Sequence, residues 1–188
     1  GQGLGNYFSD PAFRKSLAQA PEENPQAAIE HFLQIFTNPS LTWQDLATLR
    51  EQTKLPILLK GILHPDDALK ALDAGMDGVI VSNHGGRQVE GAIAALDALP
   101  GIAKAVQGRA PILFDSGIRC ASDVIKAIAL GASAVLLGRP YMWGLALGGE
   151  QGVREVLANF LADLDLTLAL SGYKTFAEID AGTITKNA

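Results

Sequence analysis

The residues best suited to chemistry in this sequence fall directly after short apolar runs. Lys60 closes LPILLK, the series Ser82, Asn83, His84, Gly85, Gly86, Arg87, Gln88 follows DGVIV, Asp115, Ser116, Gly117, Ile118, Arg119 follow PILF, and Gly138 with Arg139 follow SAVLL. An imidazole takes a proton near neutral pH, and an arginine offers a carboxylate two parallel donors, so His84 and Arg87 suit proton abstraction from a small acid. Gly85 and Gly86 leave room for that ligand. Gly117 with Arg119, and Gly138 with Arg139, suit a phosphate, because glycines let the backbone approach and arginines supply charge. One such pair alone would read as a turn residue and a solvated cation, whereas two at consecutive run ends favour an anion site. With Lys60 as a further cation, the set implies an acidic substrate and a phosphorylated cofactor.

Other chemistries lack their residues. One cysteine and three scattered histidines give no metal-ligand spacing, and no metal is expected. There is no GxSxG elbow for a serine nucleophile, and the leading GQGLG has no strand before it to make a nucleotide-binding turn. His31 in a helix-like segment and His64 before Pro65 are expected to be structural. Cys120 is expected to be a small packed or inert thiol, and a single cysteine allows no internal disulfide. A net charge of -5 with scattered Lys and Arg gives no basic footprint for nucleic acid and no polybasic membrane anchor. No apolar run reaches the length of a membrane span, and the first ten residues have no export-signal pattern, so a cytoplasmic location is expected.

The elements that must position these residues alternate regularly. LPILLK (55–60), DGVIVSN (77–83), PILFDSG (111–117) and SAVLLGR (133–139) read as buried strands, and DDALKALDAG, EGAIAALDAL and ASDVIKAIALG carry apolar residues at helical steps. Continuous apolar strands alternating with helices imply a parallel sheet. PILLKGILHPDDALKALDAGMDGVIV is echoed by PILFDSGIRCASDVIKAIALGASAVLL, with Pro56 matching Pro111, Lys70 matching Lys126 and Gly75 matching Gly131. A strand-helix-strand repeat suits a (β/α)8 barrel, whose active sites lie at the C-terminal strand ends. A doubly wound open sheet is the competing fold, but the chain has no GxGxxG turn after a first strand. Eight strands would need about 250 residues, and only four are legible, so a half barrel of about four βα units is expected.

Residues 1–37 read as a polar leading excursion with a helix, exposed enough to be nicked; residues 38–183 as the half barrel; and residues 184–188 as a tail. Ser40 or Thr42 is expected to cap the helix in TWQDLATLREQT. PYMWGLALGGEQG reads as a Gly-rich loop, followed by a long helix that Gly172 ends.

LPILLKG, SNHGGRQ, FDSGIR and LLGRPYMWGLALGG, in this order, resemble the C-terminal half of the FMN-dependent α-hydroxy-acid oxidising enzymes. The likeness runs from about Asn38 to Thr183, and NYFSDPAFR with GRPYMWGLALGGEQGV leans toward the lactate oxidase and lactate monooxygenase branch. The resemblance implies FMN as cofactor and oxidation of an L-2-hydroxy acid to a 2-oxo acid. It implies that His84 is the catalytic base, that Arg87 binds the substrate carboxylate, and that Lys60 lies at the N1/O2 edge of the flavin. It further implies that Ser82 contacts the flavin, that Asp115 holds the ribityl chain, and that Gly117, Arg119, Gly138 and Arg139 hold the FMN phosphate. In the family the N-terminal half supplies the backbone strip against the flavin, tyrosines at the substrate, and an aspartate paired with the catalytic histidine. A complementary N-terminal half and a homo-oligomer, tetramer-like as in the family, are therefore expected as partners. Without that half the chain is expected to be inactive; the alternatives are an inactive half-barrel fragment, a non-catalytic half barrel that binds phosphate or FMN, and a Schiff-base enzyme using Lys60. The terminal TKNA is not a peroxisomal SKL-type signal.

Overall fold

Each of the four apolar runs becomes a strand and each is followed by a helix, as the periodicity requires. The computed structural model describes residues 4–185; the first three residues of GQGLG and the last three of TKNA lie outside the described residues. The chain divides after Thr42 into two compact units.

In the first unit, residues 4–37 are largely helical. These form α1 (Gly5–Ser9), α2 (Pro11–Lys15) and α3 (Pro25–Phe36), and the last two use polar and Pro residues as helix starts. The Asp10 carboxylate accepts from the Phe13 N–H at 2.8 Å and the Asn24 side chain accepts from the Ala27 N–H at 3.1 Å, each followed by a proline at the first helical position. Phe13 is buried, with Tyr7 edge-on to it at 5.6 Å, and Tyr7 also meets Phe32 edge-on at 4.7 Å. His31 is structural, its Nε2 lying 2.9 Å from Ser16 Oγ.

The second unit begins with α4 (Asp45–Gln52), which starts at Gln44 rather than at Ser40 or Thr42. Arg50 of α4 then ties the entry to the sheet: Nη1 donates to Asp77 Oδ2 at 2.7 Å, and Nη2 donates to the carbonyls of Thr53 and Leu55. The Ile57 N–H, which donates to Asp77 Oδ2 at 2.7 Å, is the main reason the Asp77 carboxyl lies below the usual carboxylate range; Arg50 adds to it.

β1 (Leu58–Ile62), β2 (Gly78–Val81), β3 (Ile112–Phe114) and β4 (Ala134–Val135) form a parallel sheet in the order 1-2-3-4. Consecutive order leaves no switch point between strands, which argues for a barrel arc over a doubly wound sheet. Helices α5 (Pro65–Asp73), α6 (Ala95–Val106) and α7 (Ala121–Ala129) connect the strands. Their faces and the strand residues Val79, Val81, Ile112 and Phe114 make the core, each of these four at most 4% exposed. The alternate strand residues Ile80 and Leu113 are only half-buried. Helices therefore cover one face of the sheet and the other is open.

Three further local readings are corrected. The segment EGAIAALDAL does not start its helix at Glu90: Gly91 takes φ +76 and Ala94 is extended, so α6 begins at Ala95 and continues through Pro100. PYMWGLALGGEQG is not a loop but the first part of α8 (Arg139–Leu170), broken at Gly148 and Gly149. Gly144 and Gly152 lie back to back across that kink, where a Cβ on either would overlap the other's carbonyl. Cys120 is exposed rather than packed, at the N-terminal end of α7. Gly172 does end α8, at φ +81: its N–H donates to the Ala169 carbonyl while the Tyr173 N–H donates to that of Leu168.

Candidate active site

The strand ends converge as a βα arrangement requires. Lys60 pairs in register with Ile80 and Ile80 with Leu113, so Ser82 and Asp115 lie just beyond the C-terminal ends of β2 and β3. The register slips between Lys60 and Ile62, at Gly61 with φ +96, which is a bulge of the kind that re-aims a side chain beside a functional site.

Lys60 Nζ donates to Ser82 Oγ at 2.8 Å and pairs with Asp115 Oδ2 at 3.0 Å. Asp115 Oδ1 accepts from Ser116 Oγ at 2.7 Å. Burial alone would push the Asp115 carboxyl up, but hydrogen bonds from Ser82, Ser116 and Lys60, with the Lys60 charge, outweigh it and hold the carboxyl below the usual carboxylate range. The network thus favours the anionic form of Asp115 beside Lys60.

His84 opens a one-turn 3-10 segment, His84–Gly86, with φ +57. A non-glycine residue in the left-handed region is uncommon and carries strain of about 1–3 kcal/mol, which marks a constrained site. The Asn83 side chain accepts from the Gly86 N–H at 3.1 Å and closes the turn. Arg87 Nε donates to the His84 carbonyl at 3.1 Å, and Arg139 Nη2 donates to the Gly85 carbonyl at 2.9 Å, so both arginines are folded against the histidine loop.

Of the nine residues the sequence singles out, all but Ser82 line one cavity of about 240 Å³. Ser82 is buried beneath it, held to Lys60, and lines an adjoining cavity of about 330 Å³ that shares Lys60 and His84. Sequence reasoning passed over Ser116 and Asn83 as site residues. Both appear in the strand-end series, but their hydrogen bonds depend on a backbone path that no spacing reveals. His64, by contrast, is structural: its Nδ1 accepts from the Asp66 N–H at 3.2 Å at the start of α5. Among the described residues no cluster of three or more His, Cys, Asp or Glu could hold a metal ion, and no helix is long and apolar enough to cross a membrane.

A phosphate-bearing group fits this cavity. Arg119 and Arg139 supply positive charge, Gly138 and Arg139 begin the long helix α8, and the space a Cβ would fill at Gly117 and Gly138 is open. A volume of about 240 Å³ lies below the roughly 300–1,000 Å³ that encloses a cofactor-sized ligand, so the chain offers one wall of such a site.

A parallel arc with helices on one face, and a cationic, glycine-opened cavity at the C-terminal strand ends, is the arrangement of the βα-barrel class. The chain belongs to the FMN-dependent dehydrogenase family, whose model matches residues 2–186. It is 47% identical to an L-lactate oxidase of Lysinibacillus sphaericus, over all of this chain and 48% of that protein. It is 44% identical to human 2-hydroxyacid oxidase 1, over 92% of this chain and 47% of that one. Among solved structures, mandelate oxidase superposes with a TM-score of 0.71 at 47% identity, covering 73% of this chain and 40% of that chain, and a variant of that enzyme carries a monooxide FMN adduct. The chain spans about half the length of the curated relatives it matches. The expected four βα units of a (β/α)8 barrel and the FMN cofactor class are borne out.

Proposed function

We propose that this chain carries the proton-transfer, carboxylate-binding and cofactor-phosphate residues of an FMN-dependent site that oxidises L-lactate, an L-2-hydroxy acid, to its 2-oxo acid. The observation that carries the reading is the single cavity in which His84 and Arg87, on one loop, face Arg119, Arg139 and Lys60. Lactate as substrate is supported by the name of the Lysinibacillus relative.

In this reading Arg87 holds the substrate carboxylate and His84 removes a proton from the 2-hydroxy acid. Arg119 and Arg139, with the backbone at Gly117 and Gly138, hold the phosphate, and Asp115 takes the ribityl hydroxyls as acceptor. Ser82 braces Lys60, whose charge would favour the reduced, more negative form of the bound cofactor. Bound FMN supplies the two-electron acceptor. The open face of the sheet takes the complementary half barrel, and the completed barrels associate as a homo-oligomer.

The test is reconstitution with FMN and the N-terminal half of the Lysinibacillus lactate oxidase supplied in trans. Lactate should bleach the visible flavin band, and His84→Ala should slow that bleaching by about 10²-fold or more. Bleaching that survives the substitution removes His84 as the base. Tight FMN binding by the reconstituted wild type without any bleaching makes the chain a non-catalytic binding module, the reading favoured by its one-walled cavity.

A further inference from the structure

We propose that Ser116 is a positioning residue: it sets the main-chain orientation of His84 and couples that orientation to the Asp115–Lys60 pair. The proposal rests on His84 being the group that moves the proton. Four consecutive backbone N–H groups around His84 are all held by oxygen acceptors. Asn83 N–H donates to Ser116 Oγ at 3.2 Å, His84 N–H to Ser82 Oγ at 3.0 Å, Gly85 N–H to Ser116 Oγ at 3.0 Å, and Gly86 N–H to Asn83 Oδ1 at 3.1 Å. Asn83 is local to the turn, and Ser82 ties the His84 N–H to Lys60, but neither holds both of the residues that flank His84. Ser116, at the end of the neighbouring strand, holds the residues on either side of His84 at once.

A hydroxyl has one donor and two acceptor sites. Here the donor goes to Asp115 Oδ1 at 2.7 Å, which turns both lone pairs toward Asn83 and Gly85. Asp115 Oδ2 in turn meets Lys60 Nζ at 3.0 Å. The anion at Asp115 therefore orients the hydroxyl, and the hydroxyl orients the His84 loop. The backbone supports this assignment. Ser116 has φ +80, a conformation glycine adopts without strain, so the side chain is present at a conformational cost and its hydroxyl is the part that acts.

The test is selective because the chain has three histidines, His31, His64 and His84. In NMR spectra of the isotope-labelled 188-residue chain, Ser116→Gly should shift or broaden the ring resonances of His84 and leave those of His31 and His64 in place, with no loss of thermal stability. Ser116→Ala, which keeps the strain and loses only the hydroxyl, should move the same resonances. Unmoved His84 resonances in both variants overturn the proposal, as does an equal shift at His64 with a falling Tm, which would make Ser116 a general structural residue. The readout does not depend on turnover. If His84 shifts as expected while His84→Ala leaves flavin bleaching intact, the positioning stands and the assignment of the base fails.

Discussion

At the residue scale, the site is a short relay of charge and hydroxyl groups. Lys60 and Asp115 neutralise one another at 3.0 Å, and the hydroxyls of Ser82 and Ser116 satisfy what remains. Because the folded Asp115 carboxyl sits below its unfolded value of about 3.9, it contributes stability that is fully present above that value and is lost as pH falls through the lower folded one. Urea unfolding at several pH values below about 5 should show stability falling less steeply in Asp115→Asn than in the parent chain. Asp77, held low by the Ile57 N–H, accounts for part of the slope that remains. Coincident slopes would mean that the network does not hold Asp115 ionised. The identities of Lys60, His84, Arg87, Asp115, Arg119 and Arg139 were legible because cations and an imidazole at strand ends are conspicuous. Ser116 was not, since a serine between an aspartate and a glycine reads as ordinary turn chemistry until its φ and partners are known.

At the element scale, the internal echo has a physical basis in two matched helix ends. α5 and α7 both stop at a glycine with positive φ, Gly75 at +80 and Gly131 at +107. In each case the glycine N–H and the next N–H reach back to the last turn: Gly75 to Leu72 and Met76 to Ala71, Gly131 to Ile128 and Ala132 to Ala127. The two ends differ in surroundings. A Cβ at Gly131 would lie 2.5 Å from Ala103 Cβ, whereas nothing lies within 4 Å at Gly75. Gly75→Ala should cost about 1–2 kcal/mol from backbone strain alone. Gly131→Ala should cost roughly 1–3 kcal/mol more through overpacking against α6. Thermal melts of the two variants measure the difference directly, and equal Tm losses would show that α6 yields to the methyl group. The helix of α8 through PYMWGLALGGEQG was hidden because four glycines argue for a loop. Packing of Gly144 on Gly152 uses two of them for close approach and Gly148–Gly149 for the kink, so the glycines serve helix contacts.

At the scale of the whole molecule, the sheet unit is amphipathic in an unusual sense. Parallel sheets are ordinarily covered on both faces, yet here Ile80 and Leu113 are half-buried and Leu136 is 36% exposed on the face away from the helices. β1 and β4 are also edges with free ladder groups. The isolated chain should therefore sediment as species heavier than its 19.8 kDa monomer, and adding a complementary half barrel should dissolve those species into a discrete complex with a higher Tm. A stable monomer at tens of micromolar would show that the edges are protected by some other means.

The sequence by itself determined the four strands, their alternation with helices, the parallel sense of the sheet and the residue types gathered at the strand ends. These follow from hydrophobic period and from glycine and charge placement, which are local properties of the chain. Only the tertiary structure decided that the strands lie in the order 1-2-3-4 with helices on one face. It also decided that Arg87 and Arg139 fold onto the His84 loop, and that Ser116 reaches across to the residues on either side of His84. Those contacts join groups separated by 31 to 54 positions in the chain, apart from the local one made by Arg87. Their geometry depends on strand register and on left-handed backbone at His84 and Ser116, and neither is encoded in the spacing of residue types.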